Sequence, residues 1–312
     1  LFLLFNLTAL VAITKLVQTK FTPKSTAIAA LGSPVRGTSG DLWADGILGQ
    51  SDFTGASIGE VFPDSVWKPG GVHVDTSVRP NRVYVVDGNN NRILGYKYLG
   101  VCSNNSSVQC TSSGDCGGAA CFYTARPTPD IIIGQPNSYT GRCNGDDSFQ
   151  TFPTFPSPSS SSLCLKHPML QSPLEYAAST SLDTDAQGNL YVPDLANNRV
   201  LKFLNPLGAV LHGSGDAIAD EVWGQPDMTS YLCNRLQPDS SPSNQSFCFT
   251  TYYVNGDYPG GAEVGVDIDF QNNLWVTDAR NHRALRFPSK SSDFVSNPPV
   301  LPLQSKTADL VL

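Results

Sequence analysis

One motif recurs along this chain at a spacing that only a repetitive fold explains. ADGILGQSDFT (44–54) returns as PDIIIGQPNSYT (129–140) and as ADEVWGQPDMTS (219–230), and ADLVL closes the sequence as the start of a fourth copy. The Gly-Gln pairs stand at 49–50, 134–135 and 224–225, so the unit is 85 to 90 residues long. A fixed period of this kind marks an array of like structural units, each burying its apolar face on the next.

A second motif sits inside every unit. Its copies are GGVHVDTSVRPNRVYVVDGNNNRILGY (70–96), STSLDTDAQGNLYVPDLANNRVLKF (179–203) and VGVDIDFQNNLWVTDARNHRALRF (264–287). Each reads as strand, turn, strand, tight turn, strand. Apolar residues alternate as half-buried strands require, at Val83 and Val85, Leu190 and Val192, Leu274 and Val276. Gly188 and Asn189 supply turn chemistry, and the first copy carries three extra residues around Arg79 and Pro80. After the second strand each copy has Asp, three residues, then a polar-Arg pair: Asp87 and Arg92, Asp194 and Arg199, Asp278 and Arg283. A short carboxylate can accept turn N–H groups, and an arginine can pair with it or cover nearby carbonyls, so these six residues read as a structural turn device. Glycine (27) and proline (23) are plentiful and charged residues are 15% against a usual figure of about 25%, a balance that suits short strands and turns.

These residues resemble the NHL repeat family, with its Gly-Val-x-Val-Asp, Gly-Asn-Leu-Tyr-Val-x-Asp and Asn-x-Arg-Val pattern, from about residue 41 to the end. The resemblance implies an all-β fold, a β-propeller of four-stranded blades in which the Gly-Gln segment is the fourth strand of each blade. Three blades are visible. Propellers have four or more, so either further blades follow residue 312 or blades from other chains complete the ring.

Residues 1–20 form a separate region. Leu1 to Ile13 is almost wholly apolar, Lys15 is the only ionisable residue before Lys20, and Leu and Ala favour helix. The stretch is short for a membrane span of about 20 residues. It reads as a hydrophobic helix, serving as a signal-peptide core, a membrane anchor or the core of a filament through which chains self-associate. An apolar start before a polar head also resembles type IV pilins, although Phe5 stands where most bacterial pilins carry an acid. Residues 21–40 read as a linker, and 41–312 as the propeller with its insertions.

Eight cysteines point to an oxidising compartment and an extracellular or cell-surface location. Cys143 and Cys233 each lie eight residues after the Gly-Gln glutamine, which pairs them with Cys164 and Cys248 in homologous loops. Cys102, Cys110, Cys116 and Cys121 pair among themselves, with three connectivities open; a zinc site is the sharper alternative, but no Cys-x2-Cys spacing supports it. Asn6, Asn104, Asn105 and Asn244 head Asn-x-Ser/Thr sequons and are glycosylation candidates.

Catalytic signals are sparse. The sequence has no Gly-x-Ser-x-Gly elbow, His-Glu-x-x-His pair or phosphate loop. His167 and His212 lie in insertions and His282 in the Arg turn, so a three-histidine site is not expected. One aligned position, on the strand nearest a propeller axis, holds His73, Asp183 and Asp267, followed two residues on by Asp75, Asp185 and Asp269. These are cation candidates, Ca²⁺ above all, against the plainer reading that they hydrogen-bond between blades. With a net charge of −7 and no basic run, no nucleic-acid partner is expected. The sequence therefore reads as a non-enzymatic extracellular structural or adhesive protein, with self-association and an extracellular protein or glycan as partners. The alternatives are a propeller-type lyase or hydrolase using the axial Asp/His group, and a membrane-anchored ligand-sensing ectodomain.

Overall fold

A computed structural model describes residues 44–56, 61–123, 127–145, 157–165, 180–208, 216–235, 241–250, 264–289 and 304–312. The helix expected over 1–20, the linker over 21–40, Asn6, His167 and His212 lie outside the described residues.

The chain runs through β1 (Pro69–Asp75), β2 (Arg82–Asp87) and β3 (Arg92–Tyr96). It then passes through an insertion holding β4 (Gly100–Cys102), β5 (Asn105–Cys110) and β6 (Cys121–Tyr123), and returns as β7 (Ile131–Ile133). The second repeat gives β8 (Asp183–Thr184), β9 (Leu190–Asp194), β10 (Arg199–Phe203) and β11 (Glu221–Trp223). The third gives β12 (Val266–Ile268), β13 (Leu274–Asp278), β14 (Arg283–Phe287) and β15 (Leu310–Val311). Each repeat is one four-stranded antiparallel sheet whose strands lie in chain order, with β5-β4-β6 as a small fourth sheet. The fold is all-β, and the helical segments among the described residues are single 3₁₀ turns.

The three large sheets stack face to face in chain order. Tyr84, Val86, Ile93 and Ile133 of the first pack on Leu190, Val192, Leu201 and Phe203 of the second. Tyr191, Val200 and Trp223, on the opposite face of the second, pack on Leu274, Val276, Leu285 and Phe287 of the third. Alternation along each strand is what allows one sheet to serve two interfaces. At the end of each Gly-Gln strand the chain comes too close to the next segment for any side chain. A Cβ on Gly134 would stand 2.6 Å from Leu163, and one on Gly224 only 2.1 Å from Phe247. Both glycines also have positive φ, at +97° and +86°, which glycine alone adopts freely.

The Asp…Arg device ties each sheet to the loop that precedes it. Asp194 is fully buried; its Oδ1 accepts the Cys164 N–H at 2.7 Å, and its Oδ2 accepts Asn197 Nδ2 at 2.8 Å and Arg199 Nε at 2.7 Å. The guanidinium of Arg199 then donates to three carbonyls, those of Met228, Ser159 and Ser162. Asp87 and Arg92 repeat this with Trp67, Asn90, Ser138, Phe62 and Ser65, and Asp278 and Arg283 with Cys248, Asn281, Ser243 and Ser246. Burial pushes the Asp194 carboxyl up, against the pull of Arg199 and the Cys164 N–H. Three carbonyls on the arginine and two N–H donors besides it on the aspartate offset part of the desolvation cost that makes isolated buried ions destabilising.

Two of the four disulfides sit at these same junctions. Cys143 pairs with Cys164 and Cys233 with Cys248, closing loops of 21 and 15 residues. Cys102 pairs with Cys116 and Cys110 with Cys121, which pins β4, β5 and β6 and leaves no free thiolate there for zinc.

Arg199→Ala should lower stability by about 3–5 kcal/mol, because it leaves Asp194 buried and uncompensated. The same change at Arg283, whose side chain keeps 13% exposure, should cost less. Urea unfolding followed by tryptophan fluorescence measures both, and equal midpoints for the two variants would contradict this ranking. Replacing Cys143 and Cys164 together by serine should cost about 3 kcal/mol, from the entropy of the freed loop.

Candidate functional site

The first strands of the three sheets, β1, β8 and β12, are neighbours, and a row of polar groups runs across them. The segments that lead into β8 and β12 are joined by a parallel bridge from Thr180 to Val264. Ser181 Oγ donates to the Val266 carbonyl at 3.2 Å and lies 3.1 Å from the Val266 N–H. His73, Asp183 and Asp267 occupy one register position, opposite Tyr84, Tyr191 and Trp275 of the adjoining strands.

Each of the first two reaches the strand of the following sheet. His73 Nε2 is 2.8 Å from Thr184 Oγ1, and its Nδ1 is 3.7 Å from Asp183 Oδ1. Asp183 Oδ2 accepts the Ile268 N–H at 2.6 Å, while its Oδ1 accepts the Thr184 N–H at 2.8 Å. Thr184 and Ile268 are themselves equivalent in the repeat, so His73 and Asp183 make the same connection in two chemistries. Asp267 is exposed and makes no such connection to a further sheet among the described residues. Burial pushes its carboxyl up, with Asp183 and Asp269 adding like-charge repulsion.

A cleft of about 580 Å³ lies along this row, lined by His73, Asp183, Asp267, Ser181, Trp275 and Thr277 among others. The row does not converge. Among the described residues the only cluster of potential ligand atoms within 4.8 Å of one another is Cys102, Cys110 and Cys116, all held in disulfides. The reason is that the polar atoms are already engaged: His73 Nε2 meets Thr184 Oγ1, and Asp183 has both oxygens on backbone N–H groups. The arrangement can clasp neighbouring sheets; as a cation site it offers chiefly the carboxylate of Asp267.

The second acidic row has a different use. Asp185 accepts from the N–H groups of Gln187 and Asn189, from Asn189 Nδ2 and, at 3.1 Å, from the Tyr191 hydroxyl. Asp269 does the same with Gln271, Asn273 and Trp275 Nε1. These aspartates shape the first hairpin and hold an aromatic residue of the second strand, Tyr191 against the third sheet and Trp275 at the cleft. Asp75, in the repeat with three extra residues, instead accepts the Ser77 N–H and lies 3.8 Å from Arg82.

Sequence reasoning missed two parts of the junction. The Gly-Gln glutamines are buried: Gln135 donates to the Asn91 and Arg142 carbonyls, and Gln225 to those of Asn198 and Leu232. Two of the carbonyls that each arginine binds belong to turns at 62–65, 159–162 and 243–246, each closed by its last serine, whose Oγ accepts the N–H of the first residue. The recurring signal was a serine three residues after the turn starts, followed by an apolar residue and then Trp or Cys: SVW, SLC and SFC.

Asn104 and Asn105 lie exposed at the β4–β5 turn, and Asn105 Oδ1 accepts the Ser107 N–H at 3.1 Å. Asn244 is exposed as well, but the Ser246 hydroxyl of its sequon is buried in the arginine-bound turn. Among the described residues no helix is long and apolar enough to cross a membrane.

Comparison of the chain with protein-family models and with curated proteins returns no match.

Burial holds the His73 ring below the usual imidazole range, with Asp183 and Asp75 pulling the other way. The unfolded chain takes up this proton near pH 6.5, while the native ring resists it, so protonation favours unfolding. The contribution of neutral His73 is therefore present above about pH 6.5 and lost as pH falls through and below it. Wild-type Tm should drop more steeply than that of His73→Gln between neutral pH and pH 5. Parallel pH profiles would show that the ring is not held neutral.

Proposed function

We propose that this chain is a non-enzymatic extracellular structural or adhesive protein that displays an NHL-like β-propeller and serves as a cell-surface or filament subunit. The observation that carries the reading is the fate of its polar repeats. Asp87, Asp194, Asp278 and their arginines, His73, Asp183, and the hairpin aspartates Asp185 and Asp269 all bind neighbouring backbone or side chains within and between sheets. The chemistry that recurs in this sequence is the chemistry of assembly. Four-stranded antiparallel sheets that pack in chain order with their first strands adjacent support the propeller reading. Four disulfides fit an oxidising exterior, where loops rich in Ser, Pro and Asn need covalent closure to stay ordered. On this reading the loops present ligand-facing surface on a rigid platform, and residues 1–20 tether or polymerise it.

One observation favours a second reading. The cleft beside Asp267 is sizeable and acidic, and a propeller lyase or hydrolase would use a cation there. Calcium titration separates the two: a rise in Tm lost in Asp267→Asn supports the cation, and no change removes it.

The main proposal is tested on the cells that make the protein. Antibody labelling of intact cells should mark the outside, electron microscopy of the purified chain should show ordered assemblies, and thiol reagents should label no cysteine until the protein is reduced. An intracellular protein with reactive thiols and only dispersed monomers would overturn it.

A further inference from the structure

We propose that residues 44–50 are the fourth strand of a sheet whose other three strands come from another polypeptide segment of the same repeat. Together with the bare face of the first sheet they form its docking site. The inference rests on sheet-to-sheet geometry and not on the structural or adhesive role.

The geometry of Gly49 makes the assignment. Its φ is +83°, and a Cβ there would stand 1.9 Å from Val66 Cγ2. Gly134 stands in this relation to Leu163, and Gly224 to Phe247. In those two cases the glycine ends the fourth strand of one sheet, and the apolar residue leads into the next. Leu48 completes the match. It packs with Val66, Val83, Val85 and Leu94, as Ile133 packs among Leu163, Leu190 and Leu201, and Trp223 among Phe247, Leu274 and Leu285. Residues 44–50 thus stand to the first sheet as β7 stands to the second and β11 to the third. Among the described residues there are four fourth-strand segments and three three-stranded cores.

The face that such a core would cover is apolar and open. Val72 on β1 is 69% exposed and Val74 is 46% exposed. The residues equivalent to Val72 are Leu182 and Val266, which lie against the preceding sheet and are 7% and 5% exposed. Burying Val72, whose equivalents the fold buries, together with the neighbouring Val74 should stabilise the complex.

The occupant is not a second whole copy of the chain. The free face of its third sheet is the one that would dock, but that sheet already has β15 paired to β14. In the repeat, Leu310 to Leu312 align with Gly46 to Leu48, so a whole copy would place two strands in one position. The partner that fits is a three-stranded core with an open third-strand edge to pair with residues 46–48. Its docking face carries an aromatic residue on the second strand and apolar residues on the third, as Tyr84 and Ile93 or Tyr191 and Val200 do.

Removing residues 308–312 opens the third-strand edge of the third sheet, whose docking face carries Trp275 on its second strand and Ala284 and Arg286 on its third. Backbone hydrogen exchange of isotopically marked full-length chain should therefore slow at residues 46–50 and 71–75, by about tenfold or more, when chain 1–307 is added. Unmarked full-length chain should produce no slowing. Val72→Asp combined with Val74→Asp in the marked chain should abolish the effect, and both positions are exposed enough to leave its own fold intact. If chain 1–307 does not fold, a synthetic peptide of residues 264–289 takes its place with the same readout. Unchanged exchange with the partner used, equal slowing by the full-length chain, or slowing that survives the double aspartate change would each overturn the proposal.

Discussion

The buried aspartate–arginine node is the constraint on which the rest depends. Strand pairing alone would give three separate meanders, each with one face uncovered. The node fixes what precedes each sheet: the aspartate takes the backbone N–H of the incoming segment, and the arginine takes two carbonyls of the turn just before it. That segment carries Leu163 or Phe247, the residue that fills the space left by the Gly-Gln glycine of the previous sheet. One ion pair therefore sets both the entry of its own sheet and the seat of its predecessor. Removing either ion would disturb two layers at once. The adjacent disulfides, which join the incoming segment to the preceding Gly-Gln loop, reinforce that joint and not some distant one.

Much of this was legible in the sequence, because period and alternation are short-range signals. The strand pattern in 70–96, 179–203 and 264–287 and the Asp…Arg spacing need no tertiary knowledge, and the sheets form there. The turn at 159–162 was not legible. Ser159 to Ser162 look like an undifferentiated polar run, and only the arginine forty residues on shows which carbonyls matter. Gln135 and Gln225 were noticed as part of a motif yet read as strand, because their bonds go to carbonyls on both sides of a junction that sequence does not bring together. The row His73, Asp183, Asp267 shares one register position, as alignment of the repeats implies, but the particular partners are not written in the alignment. His73 meets a threonine hydroxyl where Asp183 meets a backbone N–H, and the difference lies in what residue 184 offers and residue 268 does not.

A minority of the chain's charges lie inside. Arg92 and Arg199 are fully buried with their aspartates, and Lys202 is buried beside Glu221 and against the Tyr191 ring. In a protein with only 15% charged residues, this leaves fewer charges for the surface. Such a surface has less long-range field to steer a charged ligand. What it can offer is short-range hydrogen bonding and shape, presented by turns like those at Asn105 and Asp269.

The row His73, Asp183, Asp267 shows how a repeat can hold one role while its chemistry varies. Each residue stands where it can reach the next sheet, and the first two do so. Asp267, at the same position, instead faces the cleft with its carboxyl raised by burial and by Asp183 and Asp269. A carboxylate kept beside two others gains nothing in isolation, since each like charge disfavours its ionised form. At Asp183 the Ile268 N–H supplies the donor that offsets such repulsion, and the Thr184 N–H a second. One register position thus serves as a clasp where a donor from the neighbouring strand meets it, and as a cleft-lining carboxylate where none does among the described residues.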